Sequence, residues 1–76
     1  MPRYFFHMSR NGEPHFDTEG LTFLDNQAAY EEATKACGEM IGSIDGHLQP
    51  GAGWQIDVTD EAGRHIYRLR VSSELL

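Results

Sequence analysis

The sequence predicts an α+β domain, a two-layer sandwich in which one helix packs on one face of a four-stranded antiparallel sheet. Three observations predict it. Residues 3–10 alternate in polarity like a strand, residues 29–44 carry a single apolar helical stripe, and residues 54–71 form two alternating runs split by a turn. The element order is therefore ββαββ.

The chain opens on "PRYFFHMSRNG". Tyr4, Phe6 and Met8 fall on one face of a strand and Phe5, His7 and Ser9 on the other. Aromatics suit a pleated, half-buried surface. Asn11-Gly12 is a hairpin turn signal, since both residues tolerate positive φ. A second strand is expected over about 14–23, with Pro14 at an edge or strand start because it has no N–H for the ladder. Gly20 within it points to a bulge or bend.

Asp25 or Asn26 is expected to cap the helix, with Leu24 and Ala29 forming a hydrophobic staple across the cap. Ala29, Ala33, Ala36, Met40 and Ile44 make one stripe, with Cys37 and Ile41 beside it. Gly38 and Gly42 weaken the second half of the helix by roughly 1 kcal/mol each relative to alanine. "DGHLQPGAG" reads as a loop. Trp54, Ile56 and Val58 alternate with Gln55, Asp57 and Thr59 in a third strand, and "DEAG" makes a turn with Gly63 left-handed. In the fourth strand His65, Tyr67, Leu69 and Val71 are expected to face the core, and Arg64, Ile66, Arg68 and Arg70 to face away. If the third strand returns beside the first, the spatial order is 2-1-3-4 and every neighbouring pair is antiparallel.

The chain of 76 residues is read as one domain, 1–76. Twelve acidic against six basic side chains give a net charge of −6, which argues against nucleic acid and anionic membranes and fits either solubility or a basic partner. No stretch approaches the roughly 20 apolar residues that cross a bilayer. A single cysteine, Cys37, and no apolar leader give the cytoplasm as the expected setting.

"PRYFFHM", "DTEGLTFLDNQAAYEEA" and "WQIDVTDEAGRHIYRL" resemble a family of short, uncharacterised bacterial proteins of unknown function, found mainly in alphaproteobacteria such as rhizobia. The resemblance rests on Pro2 to His7, on Asp17, Gly20 and Asp25, on Ala29 and Ala33, and on Val58, Asp60, Glu61 and Gly63. It covers nearly the whole chain and implies a bacterial setting but no activity. At the level of fold, the hairpin, acidic cap and alanine-rich helix are also similar to HicB-type antitoxin domains, which would imply a small basic toxin as partner. The segment "GLTFLDNQ" lacks the proline of that pattern, and no DNA-binding segment follows.

No catalytic or metal constellation stands out, and neither an enzyme nor a cofactor is expected. A zinc site on His7 and His15 would need further ligands such as Asp17 or Glu13. Cys37 sits among alanines and is read as a core residue. Asp17 and Glu19, or Asp57 and Asp60, read as solvated strand and turn residues. The remaining candidate site is the sheet face turned away from the helix, carrying Phe5, His7, Gln55, Asp57, Ile66, Arg68 and Arg70. Aromatics beside arginines mark protein interfaces, so the expected partner is a protein or a second copy of the chain.

Overall fold

The computed structural model describes residues 1–44, 51 and 53–76. Over the described residues the chain is an α+β domain with one helix and an open, five-stranded antiparallel sheet. Its elements are β1 (Arg3–Arg10), β2 (Glu13–His15), β3 (Leu21–Thr22), α1 (Asn26–Ile44), β4 (Gly53–Thr59) and β5 (His65–Ser72). The main path of the sheet is β2-β1-β4-β5, and β3 also pairs with β1.

The single strand expected over 14–23 is thus two short ones on the same edge of β1. β2 pairs with Met8 to Arg10 and β3 with Arg3 and Tyr4. Between them Gly20 takes φ +72°, which breaks the strand where a bend was expected. Pro14 lies opposite Ser9 on the edge strand, where its missing N–H costs no ladder bond. Asn11 (φ 52°) and Gly12 (φ 86°) form the left-handed turn that Asn-Gly favours. Asn11 then extends the β1–β4 ladder: its N–H donates to the Gly53 carbonyl at 2.8 Å, and the Gly53 N–H donates to its Oδ1 at 3.1 Å.

Asp25 is the cap of α1. Its Oδ1 accepts from the Ala28 N–H at 2.9 Å, and its carbonyl starts the helical ladder at Ala29. Asp25→Ala should cost about 1 kcal/mol, or roughly 4–8 °C in Tm, measured by thermal melts followed by circular dichroism. The staple is not formed, because Leu24 is exposed; Phe23 turns inward instead, against Tyr4 and Phe6. Its N–H is held by the Pro2 carbonyl at 3.0 Å, which directs the chain toward the helix.

The core is Tyr4, Ala29, Ala33, Cys37, Ile56 and Val58. Ala29 and Ala33 are fully buried, so small side chains let the helix axis approach the sheet. Phe6, Ala36, Met40, Tyr67, Leu69 and Val71 close around this centre, and Tyr30 stacks on Tyr67 at 4.4 Å. Three residues on the expected apolar faces are not buried. Ile41 is about half exposed, Met8 is 38% exposed, and His65 is exposed. His65 moves out because the β4–β5 register slips between Val58 and Thr59: Val58 pairs with Tyr67 but Thr59 with His65, leaving Ile66 as the extra residue. The side chain of Ile44, and His47 with most of the expected loop, lie outside the described residues. Gly63 is left-handed (φ 80°) in the β4–β5 turn, where Asp60 Oδ1 accepts from the Ala62 and Arg64 amides at 2.9 Å each.

Candidate functional site

The register sets the sheet face opposite the helix in rows. His7, Asp57 and Arg68 form one row; Ser9, Gln55 and Arg70 the next; Phe5 lies beside Thr59. Period-two alternation in three neighbouring strands puts these side chains together. Ile66, at the bulge, instead packs against the core cluster.

Two hydrogen bonds run across the strands within a row, and one runs along β4 between the rows. Arg68 Nε donates to Asp57 Oδ1 at 2.5 Å, Gln55 Nε2 donates to Asp57 Oδ2 at 2.7 Å, and Arg70 Nε donates to Gln55 Oε1 at 3.1 Å. Arg68–Asp57–Gln55–Arg70 is thus one continuous polar ladder. Burial pushes the Asp57 carboxyl up, but the bonds from Arg68 and Gln55, with the Arg68 charge, outweigh it and hold the group below the usual carboxylate value. Each guanidinium is anchored through Nε, and each carries four further N–H donors on its terminal nitrogens.

Beside the ladder is an aromatic patch. The Phe5 and His7 rings are nearly parallel, with centroids 6.4 Å apart, and Phe16 meets His7 edge-on at 5.7 Å. Phe16 is 72% exposed. It lies just beyond β2, where continuing the hairpin register places it opposite His7.

His7 is held at both nitrogens. The Asp17 amide donates to Nδ1 at 3.1 Å, so Nδ1 is the acceptor, and Nε2–H then donates to Thr59 Oγ1 at 3.1 Å. Thr59 is buried, and this bond satisfies its hydroxyl. His15 pairs with Met8, so it shares the opposite face of the sheet from His7, and the two histidines do not meet across the hairpin. Among the described residues no three His, Cys, Asp or Glu side chains converge as metal ligands. Cys37 is a buried free thiol among the alanines of the helix.

Asp17 is not a solvated carboxylate. Its Oδ2 accepts from the Phe6 N–H at 3.1 Å, and its Oδ1 from the Glu19 and Gly20 N–H groups at 3.0 Å each. Burial raises its pKa, but the amides of Gly20, Phe6 and Glu19 together bring it below the usual carboxylate value. The carboxylate stands where a strand carbonyl would have met β1, across the gap between β2 and β3. The spacing Asp17-x-x-Gly20 was visible in the sequence; its role as a strand surrogate was not.

A small α+β domain with a polar ladder and an aromatic patch on the sheet face opposite the helix is the class these features define. Residues 3–72 match the family described as a domain of unknown function (DUF6894), and the chain belongs to it. No curated protein and no solved structure gives a match. No helix among the described residues is long and apolar enough to cross a membrane.

Proposed function

We propose that the chain is a non-catalytic protein-interaction module that binds its partner through the sheet face opposite the helix. The observation that carries this reading is the fixed Arg68–Asp57–Gln55–Arg70 ladder lying against the Phe5–His7–Phe16 patch. Side chains already held in place lose little rotamer freedom on binding. Arginine and aromatic residues are the types enriched at interfaces. A non-catalytic role is supported by what the reactive groups already do: both His7 nitrogens and both Asp17 oxygens are engaged within the chain, and Cys37 lies among apolar neighbours. The proposed setting is the bacterial cytoplasm, supported by the family resemblance and the free thiol.

The test is molar mass by light scattering over a dilution series, followed by photo-crosslinking from position 68 in the host cell. Either a dimer or a defined crosslinked partner is expected. Phe16→Ser and Arg70→Glu should each weaken it about tenfold while leaving the melting curve within a few degrees. A monomer that yields no crosslink from this face, or association indifferent to both variants, would sink the reading.

A second reading is an antitoxin-like partner of a small basic toxin. The net charge of −6 and Glu31, Glu32 and Glu39 on the helix favour it. A small basic open reading frame beside the gene, whose toxicity this chain relieves, is the outcome it requires. A nucleic-acid-binding role ranks third, and a shift of RNA or DNA at low salt is what would raise it.

A further inference from the structure

The helix side of the sheet carries a second feature, independent of the ladder face. α1 lies over β4 and β5. A helix is about 10 Å across and strands are about 4.8 Å apart, so one helix covers about two strands. The helix side of β1 is left with a groove. Its floor is Phe6 and Met8 of β1 with Ile56 and Trp54 of β4. One wall is the edge of α1 bearing Glu32, Ala36 and Met40, which stack at steps of four. The other wall is Glu19 to Leu21 and His15. Two hollows of about 330 and 320 Å³ lie along it, and Met8 lines both.

The two long sides match in length. Phe6 to Arg10 along β1 spans about 13 Å and Glu32 to Met40 along α1 about 12 Å, which is roughly two turns of a docked helix. Met8 and Leu21 offer apolar surface to it, at 38% and 54% exposure. Met8 stays partly exposed because, among the described residues, α1 lies over β4 and β5 rather than β1.

Charge selects the occupant. Glu32 stands on one wall and Glu19 on the other at the first hollow, while Arg10 lines the second and stacks over the Trp54 ring at 4.6 Å. The ion pairs among the described residues are Arg64–Asp60 and Arg68–Asp57, so neither rim carboxylate is paired. Arg3 bonds the Glu19 carbonyl, not its carboxylate. A second copy of the chain would bring Glu31, Glu32 and Glu39 of its own helix toward this rim, like charge against like. We propose that the groove binds an amphipathic helix of a partner protein, with two turns of apolar side chains seated on Phe6, Met8 and Leu21 and lysines or arginines reaching Glu19 and Glu32.

The test uses three synthetic helical peptides: leucines on one face flanked by lysines, the same peptide with glutamates for the lysines, and the lysine peptide with serines for the leucines. Trp54, the sole tryptophan, lies in the groove and reports binding by its fluorescence. The lysine–leucine peptide should bind saturably, the glutamate peptide at least about tenfold more weakly, and the serine peptide not at all. Met8→Ser should weaken binding about tenfold, and Glu32→Lys should reverse the preference between the two leucine peptides. Both positions are at the rim or surface, and circular dichroism confirms folding. Phe16→Ser and Arg70→Glu, on the other face, should leave binding unchanged. The proposal is overturned by absent binding of the lysine–leucine peptide, by equal binding of the glutamate peptide, or by indifference to both groove variants. It is overturned as well by a wild-type dimer that Met8→Ser abolishes, which would make the occupant a second copy.

Discussion

Gly20→Ala is expected to lower the melting temperature by roughly 12–24 °C, corresponding to about 3 kcal/mol at 4–8 °C per kcal/mol for a domain of this size. Two costs combine. The residue holds φ +72°, a conformation that a Cβ disfavours by about 1 kcal/mol or more. The added methyl would also lie 2.7 Å from the Tyr4 carbonyl oxygen and 3.0 Å from Arg3 Cγ and Phe5 Cδ1. The Tyr4 carbonyl is β1 backbone opposite Leu21 and cannot swing aside, so β3 must lift from β1, with an overpacking cost of about 1–3 kcal/mol. Gly12→Ala separates the two terms. Gly12 has φ +86° but nothing within 4 Å of a Cβ, so it should lose only about 1 kcal/mol. Equal losses at the two positions, in parallel thermal and urea melts, would show that close approach at Gly20 contributes nothing. For a small domain holding about 5 kcal/mol in total, the Gly20 variant sits near the limit of folding.

That position also shows where the sequence is readable and where it is not. The helix was legible because Asp25 supplies a cap oxygen and Ala29, Ala33, Ala36 and Met40 keep a helical period, both local properties. The two turns were legible because Asn11-Gly12 and Gly63 carry the residue types that positive φ requires. The ladder face was legible as a set, Phe5, His7, Gln55, Asp57, Arg68 and Arg70, because alternation fixes the face of a strand residue once the strands are known. The second strand misled because Asp17 replaces a backbone carbonyl with a side-chain carboxylate, and no periodicity signals that exchange. His65 misled because alternation assumes an unbroken register, and the slip at Thr59 breaks it. Met8 and the groove beside it depend on where a helix settles across the sheet. That is decided by the small side chains Ala29 and Ala33 meeting Ile56 and Val58, a tertiary choice that β1 alone does not encode.

Asp17→Ala carries the other large expected effect, about 2–3 kcal/mol at pH 7, or roughly 10–20 °C in Tm. It leaves the Phe6, Glu19 and Gly20 amides without the acceptor that now joins them, and two of the three bonds are partly buried. The loop from Phe16 to Gly20 should loosen with it, so the Asp17 amide no longer holds His7 Nδ1 and amide exchange at Phe6 and Thr59 should quicken. Asp17→Asn separates charge from shape, because its one carbonyl oxygen can still accept from the Glu19 and Gly20 amides while its NH₂ opposes the Phe6 N–H. The sign of the pH dependence follows from the direction of the shift. The folded Asp17 carboxyl lies below its unfolded value of about 3.9, so the stabilisation is complete above about pH 5 and is lost as pH falls through the folded value. Asp57 is depressed in the same direction but is present in both proteins, so it cancels in the difference. Urea melts of wild type and Asp17→Asn at pH 7 and pH 2.5 should therefore draw closer at the lower pH, which lies below the unfolded carboxyl's value. A gap that stays constant between the two pH values would mean that the ionised carboxylate adds nothing beyond its shape, and that the Asp17 loop is held by packing alone.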